Sequence, residues 1–412
     1  MTTNNRFVII GAGMAGLNAA ATLRNEGYKN EIMLLDKNSN LPYDRPPLSK
    51  GFLTGELDEE QILLRSPNFY DDNNIKLNLS RSAIRLDLDK QLVELDNHET
   101  VTWDKLLIAV GSRLRKLNIP GTELKHVHYL KTKEDSILLK QDLQSCEDIV
   151  IIGAGFIGSE VAASCRRKGI NVTVIEALPT PLRNILGDRM GEFIAKLHRS
   201  NGVNLITNEF ATELTGEDSV KEVVTNTGRR IPCQAVVIGI GVELDLNLIE
   251  RTEINAANGI MVDEYCETNI PGVFAAGDCA LWPYFGEKIR VEHWDHAMNQ
   301  AKTAAKNMFN PKTERYNTIP YFWSDQYDVR FQYLGHAKDW DSTVLRGSIE
   351  EKKFTFFYLK NNKIVGALFV NDPKNVIPVR RFIMQNTIFN DPSILGDTHQ
   401  KIKEVATKET NN

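Results

Sequence analysis

The sequence predicts an α/β fold: two copies of a parallel strand–helix–strand unit, followed by a smaller α+β segment. Three observations predict it. Phe7-Val8-Ile9-Ile10 runs into Gly11-Ala12-Gly13-Met14-Ala15-Gly16, then a small-residue helix pattern from Leu17 to Asn25, then Ile32-Met33-Leu34-Leu35 closing at Asp36. The same order returns as Ile149-Val150-Ile151-Ile152, Gly153-Ala154-Gly155-Phe156-Ile157-Gly158, a helix pattern to about Lys168, and Val172-Thr173-Val174-Ile175 ending at Glu176. Near the C-terminal end, two apolar runs within 353–370 flank Asn361-Asn362, the pattern of a β-hairpin.

Each part of the repeat has a physical reason. The first glycine makes the tight strand-to-helix turn, the second lets backbone approach a pyrophosphate, and the third lets helix and strand pack closely. A diphosphate then sits on the positive end of the helix, and a carboxylate about 20 residues on accepts hydrogen bonds from a ribose. A lone glycine loop is weak evidence, because many are ordinary turns. Two copies, each following a strand, opening a helix and reaching an acidic residue, predict Rossmann-like units for two dinucleotides. The N-terminal loop is the usual place of a resident FAD, which leaves the second unit for a nicotinamide. Glu176 repels a 2′-phosphate and accepts a 2′-hydroxyl, which favours NADH. Arg183, the nearest downstream arginine, leaves a phosphate-accepting alternative open.

Composition narrows the classes. The 412 residues carry 49 Lys and Arg against 54 Asp and Glu, a formal charge of −5, with 42% hydrophobic residues. That excludes extensive disorder. With a pI of about 6.0 there is no global attraction to nucleic acid. The five cysteines, at 146, 165, 233, 266 and 279, form no CxxC or CxxxxC pair, which excludes a disulfide scaffold and fits a reducing compartment. His293 and His296 stand at i, i+3 without a third ligand, so no metal is expected. The N-terminal residues lack a signal-peptide pattern and no apolar run approaches a bilayer span, so a cytoplasmic location without membrane attachment is expected.

Further segments resemble the FAD-dependent pyridine nucleotide reductases, and within them the NADH-dependent ferredoxin reductases of oxygenase systems, the putidaredoxin and rubredoxin reductase type. They are Pro42-Tyr43-Asp44-Arg45-Pro46-Pro47-Leu48-Ser49-Lys50, Leu107-Ile108-Ala109-Val110-Gly111-Ser112-Arg113, Gly158-Ser159-Glu160, Val237-Ile238-Gly239-Ile240-Gly241-Val242, Phe274-Ala275-Ala276-Gly277-Asp278, Glu292-His293-Trp294 and Phe322-Trp323-Ser324-Asp325-Gln326. The resemblance covers about residues 6 to 335. It implies a glutathione-reductase-like fold: an FAD domain from 1–116 and 246–318, an inserted NAD domain of 117–245, and a C-terminal α+β domain of 319–412. The tail from about Lys401 is polar and expected to fray.

The resemblance also assigns roles. It implies cofactor contacts at Gly11, Gly13, Met14, Ala15, Gly16, Asp36, Arg45, Lys50, Ala83, Gly111, Lys131, Gly277, Asp278 and Trp294, and at Gly153, Gly155, Phe156, Ile157, Gly158, Glu160, Glu176, Gly239 and Gly241. Pro46 and Pro47 suit the first turn of a helix carrying Lys50 about one turn on. The resemblance places that lysine by flavin N5, paired with Glu160; an ordinary surface ion pair is the plainer alternative. Asp278 would bind the ribityl chain or cap a helix. His293 to Phe309, with small or apolar residues at 297, 301, 304, 305 and 308, predicts a helix whose N-terminus favours reduced flavin. Val110 and Lys131 stand where relatives often carry threonine and arginine.

The cysteines decide the mechanism that this resemblance implies. Disulfide reductases of the superfamily use a cysteine pair, and its peroxidases use one cysteine at the start of the Arg-Pro-Pro helix. No cysteine precedes 146 here. Hydride transfer from NADH to FAD, followed by single-electron transfers to a small iron–sulfur ferredoxin feeding a cytochrome P450 or ring-hydroxylating oxygenase, is the expectation. Rubredoxin, monodehydroascorbate or quinone reduction are alternatives, as is an NADH-responsive binding protein like apoptosis-inducing factor. Small ferredoxins are acidic, and Lys and Arg at 113, 115, 116, 288, 290, 330, 380 and 381 are candidates for a basic docking patch.

Overall fold

The computed structural model describes residues 6–409, the side chains of 406–409 aside. Contacts divide the chain into two compact units, Met1–Asp44, Glu60–Arg113 and Val242–Pro320 in one, Arg45–Glu59, Leu114–Gly241 and Tyr321–Asn412 in the other.

The first unit is built on a five-stranded parallel sheet. Arg6–Ile10 lies at its centre, between Glu31–Leu35 and Lys105–Ile108, with Ile75–Asn78 and Val273–Ala275 at the edges. Val8, Ile9, Leu34, Leu106 and Phe274 are buried, as continuous β-branched and leucine runs require when both faces of a parallel sheet are covered. The helix Met14–Asn25 packs through Ala15, Leu17, Ala19, Ala20 and Leu23, within one core that also takes Ala297, Ala301, Ala304, Ala305 and Met308 of the helix Trp294–Phe309. A three-stranded antiparallel meander, Ala83–Asp87, Leu92–Leu95 and Thr100–Thr102, completes the unit's sheets of interest.

The second unit repeats this plan. Asp148–Ile152 is central, between Asn171–Glu176 and Ala235–Ile238, with Asn204–Thr207 and Val127–His128 outside. A meander of Ala211–Thr215, Glu222–Thr225 and Arg230–Pro232 accompanies it. Residues 321–370 add a five-stranded antiparallel sheet containing the expected hairpin, Lys353–Lys360 and Lys363–Val370, with Asn361 and Asn362 both at positive φ as its turn requires. One face of that sheet, Phe331, Tyr333, Phe354, Phe356 and Leu368, packs on Met190, Phe193, Ile194 and Leu197 of the helix Arg183–Ser200. That shared core explains why the C-terminal segment clusters with the second unit.

Two local expectations are corrected. The Pro46–Ser49 turn is 3-10, and Lys50 (φ −128°, ψ −116°) interrupts it before the short helix Gly51–Thr54. Lys50 therefore sits at a break, not within a helix. The tail does not fray at Lys401. A helix runs over Ile402–Glu409 because Ile402 and Val405, one turn apart, are buried, and the Arg346 guanidinium donates to the carbonyls of Leu395, Asp397 and Gln400 just before it. Among the described residues, no helix is long and apolar enough to cross a membrane.

Candidate functional site

The two glycine loops have matching geometry. Gly11 takes φ +103°, and a Cβ there would stand 2.3 Å from the Ala109 carbonyl oxygen; Gly153 takes φ +100°, 2.5 Å from that of Gly239. Side chains are thus excluded at both turns. A Cβ on Gly16 would meet Gly11 O at 1.8 Å, and one on Gly158 would meet Gly153 O at 2.1 Å, so helix and strand touch through glycine. The second glycine is different: a Cβ at Gly13 meets nothing within 4 Å, and Gly155 is nearly as open. Neither helix has a side-chain N-cap. The first-turn N–H groups, from Met14, Ala15 and Gly16 and from Phe156, Ile157 and Gly158, are left for an anion in an open cradle.

The acidic residues close each loop alike. Asp36 Oδ2 accepts from Ala12 N–H at 2.6 Å and Oδ1 from Asn38 N–H at 2.8 Å. Glu176 Oε2 accepts from Ala154 N–H at 2.7 Å and Oε1 from Leu178 N–H at 2.8 Å. Each carboxylate is held at its strand end beside the loop, where a ribose hydroxyl would meet it. Arg183 is engaged with Asp188 through two contacts of 2.5 and 3.1 Å. That occupies the guanidinium a 2′-phosphate would need. These donor and acceptor sets fit two dinucleotides.

Within the second unit, Lys50 Nζ lies 3.0 Å from Glu160 Oε2. Glu160, on the helix Phe156–Arg167, is only 4% exposed, whereas Lys50 is 20% exposed. An ordinary surface pair would not bury its carboxylate. Two hydroxyls missed by sequence reasoning complete the carboxylate's partners: Ser49 donates to Oε2 at 2.5 Å and Ser324 to Oε1 at 2.8 Å. Both stand in segments that carry the resemblance, but nothing in the sequence brings them to one carboxylate. Phe156 packs edge-on against Phe322, joining the second loop to the strand Tyr321–Gln326.

In the first unit, Asp278 is not a helix cap. It lies in the turn between Val273–Ala275 and Ala280–Tyr284, and its Oδ2 accepts from Ser112 Oγ at 2.9 Å. Trp294 opens its helix, with His293 as N-cap residue, and its indole N–H donates to Asp44 at 2.7 Å. Gly111 and Gly277 take positive φ at the ends of neighbouring strands. Ala83 begins the meander strand. In the second unit, Arg45 precedes the Pro46 turn, Lys131 N–H donates to Asp135 beside a helix start, and Gly241 takes φ +93° after the strand that ends before Gly239.

Of the two histidines expected to hold no metal, His293 is the N-cap residue of the helix Trp294–Phe309, and His296 is fully buried, hydrogen-bonded to Tyr316 and stacked on Trp282. Sequence reasoning did not single out His126 and His128, which converge on Asp142 at 2.7 and 2.6 Å and clamp the strand Val127–His128 to the end of the helix Lys133–Asp142; the three ligand atoms lie within 4.8 Å of one another, close enough to hold a metal ion. Five of the eight candidate basic positions are engaged: Arg113 with Glu243, Arg290 with Glu292, Arg330 with Asp325, Lys116 over the Tyr129 ring and Arg380 over the Tyr321 ring.

All five cysteines are free and buried. Burial pushes the thiols of Cys146 and Cys279 up to about 11 and those of Cys165 and Cys233 up to about 12, and raises Cys266 as well. A redox-active thiol needs the reverse, an exposed site that favours thiolate.

Among known families, residues 5–301 match the one described as pyridine nucleotide-disulphide oxidoreductase, and residues 321–406 match the one described as reductase C-terminal. Rhodocoxin reductase of Rhodococcus erythropolis is 37% identical over 380 residues, covering 92% of this chain and 89% of that protein. The ferredoxin–NAD(+) reductase component of the p-cumate 2,3-dioxygenase system of Pseudomonas putida is 34% identical over 403 residues, 98% of each. The crystal structure of the ferredoxin reductase for the CYP199A2 system from Rhodopseudomonas palustris superposes with a TM-score of 0.94 at 33% identity, covering 98% of this chain and all of that one.

Proposed function

Because the chain belongs to the pyridine nucleotide-disulphide oxidoreductase family, we propose that it is an FAD-dependent, NADH-dependent ferredoxin reductase supplying a cytochrome P450 or ring-hydroxylating oxygenase. The observation that carries the acceptor is the state of the cysteines. All five are buried with raised thiols, so no dithiol relay stands between cofactor and acceptor. The relatives named as ferredoxin reductases support a small iron–sulfur partner.

Bound FAD would supply the chemistry of accepting a hydride and releasing electrons singly. The chain's residues do the rest. Met14, Ala15 and Gly16 amides hold one pyrophosphate and Asp36 its ribose, with Asp278, Trp294, Arg45, Ala83, Gly111 and Lys131 as further FAD contacts. Phe156, Ile157 and Gly158 hold the nicotinamide dinucleotide, Glu176 selects the 2′-hydroxyl, and Gly239 and Gly241 line its approach. The Lys50 ammonium, held by Glu160, supplies positive charge toward the hydride acceptor. In this reading the FAD domain comprises 1–116 and 246–318, the NAD domain 117–245 and the C-terminal domain 319–412, and the protein works in the cytoplasm.

Stopped-flow and cytochrome c assays with and without a [2Fe–2S] ferredoxin test the acceptor. Fast turnover is expected only with the ferredoxin present, and treatment of the native protein with a thiol alkylating agent is expected to leave it intact. Fast cytochrome c reduction without the carrier, or inactivation by the alkylating agent, would sink the proposal.

A further inference from the structure

A polar chain, buried along its middle, leads from Tyr327 to Lys50, and its polarity can be worked out atom by atom. An ionised Glu160, paired with Lys50, only accepts hydrogen bonds. Ser324 Oγ, 2.8 Å from Oε1, must therefore donate its single proton to Glu160. That leaves Ser324 Oγ to accept from the Gln326 side-chain amide, whose Nε2 lies 3.2 Å away. With its nitrogen turned to Ser324, Gln326 presents Oε1 to His198 Nε2 at 3.1 Å. Nε2 must then carry the imidazole proton. Nδ1 is left as acceptor for the Tyr327 hydroxyl at 2.9 Å.

With a neutral imidazole, no other arrangement satisfies every member. Flipping the Gln326 amide would set its carbonyl against a hydroxyl that has no second proton. Ionising His198 would turn the Tyr327 hydroxyl from donor to acceptor and place a positive charge on a buried imidazole whose other partner is a neutral carboxamide. Ser324 and Gln326 are completely buried and His198 nearly so, so water cannot repair a mismatch. Burial also keeps His198 neutral, pulling it down to about 4. Four side chains, from the strand Tyr321–Gln326, the turn after it and the helix Arg183–Ser200, thus donate in one direction, toward the carboxylate that holds Lys50.

We infer that Ser324, Gln326 and His198 are positioning residues: their one-way hydrogen-bond chain fixes Glu160 as a carboxylate in one orientation, and through it fixes the Lys50 ammonium. Ser49 anchors the other carboxylate oxygen. The need is physical. A buried carboxylate is costly unless each oxygen is partnered, and a lysine on a four-carbon stem is otherwise mobile. The inference rests on the proposal that this chain is an FAD enzyme reduced by NADH.

The test uses the FAD-loaded full chain as Ser324→Ala, Gln326→Leu and the double variant, with two readouts: the flavin midpoint potential, and the limiting rate of flavin reduction set against the apparent Kd for NADH. Each single variant is expected to slow the limiting rate about threefold to tenfold with the Kd little changed. The potential should become more negative by the same factor, about 15–30 mV for a two-electron couple. Because both act through one chain, the double variant should lose no more than the worse single one. Unchanged potential and rate in both single variants, a change in Kd alone, or additive losses would overturn the inference while leaving the enzyme reading standing. A wild-type chain that takes up no FAD would overturn both.

Discussion

Lys50 shows how much one residue's placement depends on its neighbours. The two prolines before it start a turn, but the chain breaks at Lys50 itself, and the ammonium is held by Glu160 rather than by helix geometry. Removing it leaves Glu160 with two hydroxyl donors, from Ser49 and Ser324, so the carboxylate keeps partners and the fold should survive. Lys50→Ala is expected to purify with normal FAD content yet to reduce its flavin with NADH about 100-fold to 1,000-fold more slowly, the scale of removing one fixed electrostatic stabiliser from a reacting centre. Pre-steady-state absorbance at saturating NADH measures this; a wild-type rate would show that the pair is structural. The pairing could be anticipated from the resemblance. The Ser324, Gln326 and His198 partners could not, since they come from segments far apart in sequence and meet only after the C-terminal sheet has packed.

At the scale of elements, the strand–glycine–helix units were legible because backbone sterics dictate them. Gly11 and Gly153 must adopt positive φ, and Gly16 and Gly158 must let a carbonyl approach, so residue type and position are forced together. Gly158→Ala makes the point testable. Its Cβ would fall 2.1 Å from Gly153 O, so the second helix must shift off its strand and move the N–H groups that hold a pyrophosphate. The apparent KM for NADH should rise about tenfold or more, with FAD content unchanged because the first loop lies in the other unit. Equal KM values would argue against a nicotinamide on that loop. The meander strands and the tail helix were not legible. Their short runs, such as Thr100–Thr102, and the two buried positions Ile402 and Val405, have meaning only against partners that local pattern does not reveal.

Taken whole, the molecule carries one deeply buried neutral imidazole in each unit, and this gives it a defined acid sensitivity. Burial pulls His198 down to about 4 and His296 down to about 3, against about 6.5 in an unfolded chain. Below pH 6.5 the unfolded state therefore binds protons that the folded state refuses, and stability falls with pH until the folded values are reached. By pH 5 each histidine should have removed about 2 kcal/mol. Carboxylates act at lower pH, so the stretch from pH 6.5 to 5 belongs to the histidines. Those held low by hydrogen bonds, such as Asp328 beside Lys352 and Asp341 beside Asn361, begin to lose their contribution only at about pH 5 and below. Urea midpoints should thus be level from pH 8 to 7 and fall between pH 6.5 and 4. His296→Gln, which removes the titrating group of the first unit, should flatten that fall. A wild-type midpoint that stays constant from pH 7 to 5 would mean that these imidazoles reach solvent, and that the cores drawn around Tyr316 and Tyr327 are looser than their hydrogen bonds require.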